Sequence, residues 1–149
     1  MADAPETIDA LDRAHPEATI GTRWELIADR VMGGVSSGTM SRETISGRPA
    51  LRMQGDVSLE NDGGFVQVAL DLAPGGGTVD AGGWTGIEID VLGNDERYNL
   101  HLRTADVARP WQSYRATFMA APEWRTIRLP FAEFEPHRLE APFDPTRLR

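Results

Sequence analysis

From Trp24 onward, apolar and polar residues alternate in short stretches broken by glycine, proline, asparagine and aspartate. A period of two belongs to β-strands with one buried and one wet face, and the breaking residues are those of turns. The alternation predicts strands over Thr22–Ala28, Gly38–Glu43, Ala50–Val57, Phe65–Leu72, Gly86–Leu92, Tyr98–Thr104, Ser113–Ala120 and Trp124–Pro130. About eight strands within roughly 110 residues, with helical spacing nearly absent, imply an antiparallel sandwich or barrel.

The same pattern assigns faces. Ile87, Ile89 and Val91 oppose Glu88 and Asp90; Tyr98, Leu100 and Leu102 oppose Asn99, His101 and Arg103. Tyr114, Ala116 and Phe118 oppose Ser113, Arg115 and Thr117; Ile127 and Leu129 oppose Thr126 and Arg128. If these four strands are neighbours, they share one hydrogen-bonding face of mixed charge, the first candidate site. Residues 1–22 read differently, as a polar segment in which Thr7–Ala14 predicts a short helix carrying Ile8 and Leu11 on one side and ending before Pro16. Pro74–Gly77 and Asp80–Gly83 are glycine-rich connections. No internal repeat or heptad is present.

Composition narrows the chemistry. The 149 residues are one domain's worth, and 23 acidic against 15 basic residues leave a net charge of -8 and a pI near 4.8. Such a balance argues against nucleic acid and anionic membranes as partners. Every basic residue is arginine, so lysine-dependent Schiff-base and P-loop chemistry is excluded, and without cysteine there are no disulfides and no thiol or thiolate sites. No targeting segment and no apolar run long enough to span a membrane is visible, and the arginine- and alanine-rich composition points to a bacterial, cytoplasmic protein.

Two double-glycine motifs stand out: Asp29-Arg30-Val31-Met32-Gly33-Gly34-Val35-Ser36, directly after a strand, and Leu59-Glu60-Asn61-Asp62-Gly63-Gly64-Phe65, directly before one. Paired glycines permit positive φ and close backbone approach, which turn geometry alone would use. Neither motif has the order of a nucleotide-binding loop. Trp24 with the first motif, Gly55 through Phe65 with the second, and then Gly93-Asn94-Asp95, Leu102-Arg103-Thr104, Tyr114–Phe118, Glu123-Trp124 and Leu129-Pro130-Phe131 in order resemble the complex I intermediate-associated protein 30 family. That family takes its name from a mitochondrial assembly factor of NADH:ubiquinone oxidoreductase. The resemblance covers about residues 23–148. It implies a galactose-binding-domain-like jelly-roll β-sandwich over 23–149, consistent with the alternation, and an assembly or scaffold role. From the resemblance the chain is expected to lack the family's last strand or strands, since it stops at Arg149.

Catalytic signatures are poor. His15 and His137 sit in polar, proline-containing segments, and no metal-ligand spacing surrounds His101. Ser36 and Ser37 lack a nucleophile elbow, and Glu88 with Asp90 reads as a solvated strand face rather than a glycosidase pair. Asp29, Asn61, Asp62, Asn94 and Asp95 offer oxygens suited to calcium, but also to turns that bond their own backbone. Trp84 and Trp111 lie in loops and are expected to be exposed, whereas Trp24 and Trp124 start strands and are expected to pack. The expectation is a non-catalytic, metal-free and cofactor-free protein-binding module, with respiratory-complex subunits or assembly intermediates as partners. Its binding residues would be Asp29, Arg30, Met32, Gly33, Gly34, Ser36, Asn61, Gly63, Gly64, Trp84, His101, Arg103, Trp111 and Arg115. The alternative is a carbohydrate-binding module in which Trp84 or Trp111 stacks on a sugar beside Glu88, Asn99 or Arg115.

Overall fold

The computed structural model describes residues 2–28, 36–56 and 64–149. Its strands are β1 (Ala2–Asp3), β2 (Glu25–Ala28), β3 (Ser37–Ile45), β4 (Arg48–Asp56), β5 (Val66–Ala69), β6 (Val79–Asp80), β7 (Gly86–Val91), β8 (Glu96–Leu102), β9 (Ser113–Ala120), β10 (Arg125–Pro130) and β11 (Glu135–His137). Each of the eight stretches singled out by alternation contains a strand. The fold is all-β, and every ladder is antiparallel except the short β1–β6 pair. No helix among the described residues is long and apolar enough to cross a membrane. The chain forms two compact units, Pro5–Gly77 and Met1–Ala4 with Thr78–Arg149.

In the unit Pro5–Gly77, β2 pairs with β5 and β3 with β4. The β3–β4 hairpin is longer than the alternation indicates because its turn is only Ser46 and Gly47, at φ 47° and 80°. Positive φ at both turn residues matches the right-handed twist of the flanking strands and fixes the register. Gly38 and Gly55 are cross-strand partners, and Val66 packs on this pair. A Cβ on Gly38 would lie 2.6 Å from Val66 Cγ1, and one on Gly55 2.6 Å from the Ser37 carbonyl oxygen. Both glycines are therefore required by close approach rather than by a turn.

The expected helix over Thr7–Ala14 does not form. Residues 5–14 make no helical or strand element, and Leu11 sits at φ 59°. Asp9 supplies the reason, because its carboxylate offers the backbone better partners than a helix would. Asp9 Oδ1 accepts from the amides of Leu11 at 2.8 Å and Thr19 at 3.3 Å, while Oδ2 accepts from Trp24 Nε1 at 2.8 Å. Thr19 Oγ1 in turn accepts from the Ala10 amide. Trp24 is accordingly half-buried with its indole N–H satisfied, and the polar leader is an organised loop around one carboxylate.

In the second unit, β7 pairs with β10, and β9 is the middle strand between β8 and β11. The four strands expected to share one polar face thus form two separate ladders. Glu88 and Asp90 meet Arg128 and Thr126 in one; Asn99 and His101 meet Thr117 and Arg115 in the other. The core contains Val79, Ala81, Leu102, Val107, Tyr114, Ala116, Ala120, Leu129, Phe134 and Leu148. Phe143 packs on Tyr114, Phe131 and Phe134 at centroid distances of 5.0, 5.3 and 6.2 Å, and Tyr114 donates its hydroxyl proton to the Ala141 carbonyl.

Residues 147–149 lie between β6 and the end of β8. Leu148 exchanges backbone hydrogen bonds with Val79 at 2.7 and 3.0 Å, and on its other side Ala105 N donates to Arg147 O while Arg149 N donates to Arg103 O. Leu148 itself is 2% exposed. Leu148→Ala should destabilise the protein by about 2–5 kcal/mol, the range for a large-to-small change in a packed core, read as a lower urea midpoint. Asp9→Ala should cost about 1–3 kcal/mol by stranding the Trp24 indole N–H and two amides, with a red shift in tryptophan emission as the leader loosens.

Candidate functional site

The polar face of β8, β9 and β11 follows from register, since directly paired residues point to the same side of a sheet. His101, Arg115 and Glu135 form one cross-strand row; Ser113 and His137 form the next, and Asn99 and Thr117 lie on the far side of the first. His101 Nδ1 is 2.8 Å from Ser113 Oγ, and the His101 and His137 rings meet edge to face with centroids 6.3 Å apart. Asn99 Oδ1 accepts from Thr117 Oγ1 at 2.7 Å.

The loop from β8 to β9 carries Trp111, and several of its polar groups are engaged. Arg103 Nη2 donates to the Pro110 carbonyl at 2.6 Å. Gln112 Oε1 accepts from the amides of Ala108 and Arg109 at 3.0 Å each, and Gln112 Nε2 donates to the carbonyl of Arg138, which follows β11 at φ 62°. Arg147 Nη2 reaches both oxygens of Asp106 at 2.7 Å, fixing the loop from the other side, and Val107 is buried beneath it. Trp111 projects from this frame 53% exposed, with the Arg109 guanidinium 5.9 Å from its ring centroid. An exposed indole on a fixed loop can contact a partner with little ordering cost at the moment of binding.

The site is cationic in an acidic protein. Arg103, Arg109, Arg115 and Arg138 make no ion pair with a described carboxylate, whereas Arg128, Arg125 and Arg147 do with Glu88, Glu123 and Asp106. The histidines register this field. Partial desolvation lowers the pKa of His101, and His137, Arg115 and Arg103 lower it further. His137 is lowered by desolvation and then by Arg115 and Arg138.

Of the residues singled out by sequence, the structure brings His101, Arg103, Arg115 and Trp111 to this one region. Asp29, Arg30, Met32, Gly33, Gly34, Asn61 and Gly63, together with Asp62, lie outside the described residues. Ser36 is fully buried and Gly64 sits at φ 141°, both in the other unit. Trp84, 45% exposed, lines a separate hollow of about 410 Å³ with Asp3, Ala4, Asp80 and Gly83. The glycan arrangement is not supported: Glu88 is ion-paired with Arg128, Asn99 is bonded to Thr117, and Trp84 keeps company with Asp3 and Asp80. Asn94 Oδ1 accepts from the Tyr98 hydroxyl at 2.6 Å. Among the described residues no group of three His, Asp or Glu side chains is placed to hold a metal ion. Sequence reasoning missed Ser113 as a buried partner and missed His137, Arg138, Arg109 and Gln112. The alternation of Glu135 and His137 about Pro136 was the one available signal for β11.

A Ser–His pair invites comparison with a nucleophile and its base. Ser113 is only 4% exposed, however, and its histidine is surrounded by guanidinium groups that depress its basicity. What the arrangement offers chemically is hydrogen-bond donors, positive charge and an aromatic anchor.

A family model described as Complex I intermediate-associated protein 30 matches residues 14–147. No curated protein and no solved structure matches the chain.

The histidine pair makes stability pH-dependent. Both groups titrate lower in the folded protein than near 6.5 in the unfolded chain, so just below that pH the unfolded chain binds more protons and the fold loses stability as pH falls. The urea midpoint should decline between about pH 7.5 and 5.5, above the range of ordinary carboxylates, and the decline should flatten in the His101→Gln, His137→Gln double variant.

Proposed function

The chain belongs to the complex I intermediate-associated protein 30 family, and from that membership we propose that it is a non-catalytic protein-binding module acting in respiratory complex I assembly. The partner is a complex I subunit or assembly intermediate, and the docking surface is the Trp111 loop with the adjoining β8–β9–β11 face. One observation carries the choice of surface: Trp111 stands exposed on a loop fixed by Arg103, Gln112 and Arg147, beside arginines without carboxylate partners. Tryptophan and arginine are the residue types that dominate interface energies, and a pre-ordered anchor avoids the entropy lost when a flexible one is immobilised. A bacterial cytoplasmic setting goes with this reading, so the partner would present its cytoplasmic side.

Affinity capture from detergent-solubilised native membranes tests it. The protein should enrich complex I subunits at physiological salt, and Trp111→Ala should reduce capture by about thirtyfold, the effect of losing a hot-spot residue worth ~2 kcal/mol. Trp84→Ala should leave capture unchanged. Absence of complex I subunits from the wild-type eluate would sink the proposal.

A further inference from the structure

We propose that the β8–β9–β11 face is a seat for an acidic segment of the partner, whose carboxylates are received by Arg115, the free donors of Arg103 and the His101–His137 pair. This inference rests on the protein-docking reading and names the chemistry of the docked element. The register puts His101 and Arg115 side by side, with His137 in the next row, so three nitrogen-bearing side chains converge on one patch of sheet. Ser113 holds His101 through Nδ1, leaving Nε2 as the nitrogen available to an incoming oxygen. Arg103 commits Nη2 to Pro110 and retains its other N–H groups.

The charge pattern selects the ligand. In a chain of net charge -8, three other strand arginines pair with acids, Arg128 with Glu88, Arg125 with Glu123 and Arg52 with Glu43. Here Arg103, Arg115 and Arg138 face two histidines, and among the described residues the register sets only the carboxylate of Glu135 in their rows. Concentrated positive charge without internal partners raises the energy of the free protein, and an incoming carboxylate relieves it through charge-assisted, bidentate hydrogen bonds to guanidinium. A long polyphosphate is a poorer fit, because the acidic remainder of the chain repels a polyanion beyond the reach of a few arginines. Trp111 beside the patch supplies the apolar contact expected of a protein segment.

The facing groups also set a proton linkage. His101 is opposed by Arg103 just past the end of its own strand, by Ser113 and Arg115 on β9, and by His137, Glu135 and Arg138 on or after β11. A bound carboxylate offsets the arginine field, raises both histidine pKa values and draws protons from solution.

The probe is a fluorescein-labelled octamer of glutamate, titrated by anisotropy in 50 mM salt, with glutamine and uridine octamers as controls. The glutamate peptide should bind, the glutamine peptide should not, and Arg115→Gln should weaken binding about tenfold, as should His137→Gln below pH 6. The His101 and His137 imidazole resonances should move, and their pKa values rise, on saturation. No binding of the glutamate octamer, equal binding to Arg115→Gln, or tighter binding of the uridine octamer would overturn the proposal. Arg115 is exposed, so loss of folding is not the expected confound; a far-UV spectrum checks it, and Arg115→Lys, which keeps the charge but not the fork, should bind more weakly than the wild type and better than Arg115→Gln. Failure here is separable from failure of the docking reading. Trp111→Ala should lose membrane capture yet keep the peptide, whereas Arg115→Gln that loses the peptide but captures the partner undiminished would refute the seat alone.

Discussion

The backbone bridge made by Leu148 is the constraint on which the unit containing the candidate site depends. One residue exchanges hydrogen bonds with Val79 while its neighbours bond to Ala105 and Arg103, so three sequence-distant segments are tied at one point. The side chain buries itself completely there, and Arg147 reaches out of the same segment to grip Asp106 with both carboxylate oxygens. Its Nε also contacts Asp144, whose own acidity is raised by hydrogen bonds from Thr146 and Arg147. Backbone pairing, apolar burial and an ion pair therefore act on the same few residues.

That anchoring reaches the site through the β8–β9 loop. With Asp106 held by Arg147, Thr104 and Val107 buried, and Gln112 bridging to the carbonyl beyond β11, Trp111 has its backbone position set from several directions. Loops that bind are often mobile and become ordered only with a partner. This one is shaped by contacts within the chain, and Trp111 is the side chain those contacts leave exposed.

The strand order decides the electrostatics. Had β8, β9 and β11 been separated, the histidines and arginines would be scattered surface charges screened by water and salt. Placing β9 in the centre puts Arg115 between His101 and Glu135 and brings His137 against His101, so that each cation acts on the others. By contrast the β7–β10 ladder pairs Glu88 with Arg128 and Asp90 with Thr126, so these polar side chains satisfy one another. Two polar faces that look alike in sequence thus differ in character: one is self-satisfied, the other is short of anions.

The sequence by itself determined the strands and their faces, because side chains on an extended backbone point alternately to either side, and Ile87, Leu100, Tyr114 and Leu129 carry that rule in local order. It also determined the exposed Trp111, flanked by Pro110 and polar residues, and the family, through motifs spread over nearly the whole chain. Tertiary structure decided what depends on partners distant in the chain. The residues 7–14 lost their helix to Asp9, whose acceptors are claimed by Thr19 and Trp24 ten and fifteen positions away. β11, three residues around a proline, is too short for its alternation to identify a strand, and only pairing with β9 makes it one. The cluster of His101, Arg115 and His137 was illegible for the same physical reason: charge acts through space, and the distances between these groups exist only once the strands are ordered side by side.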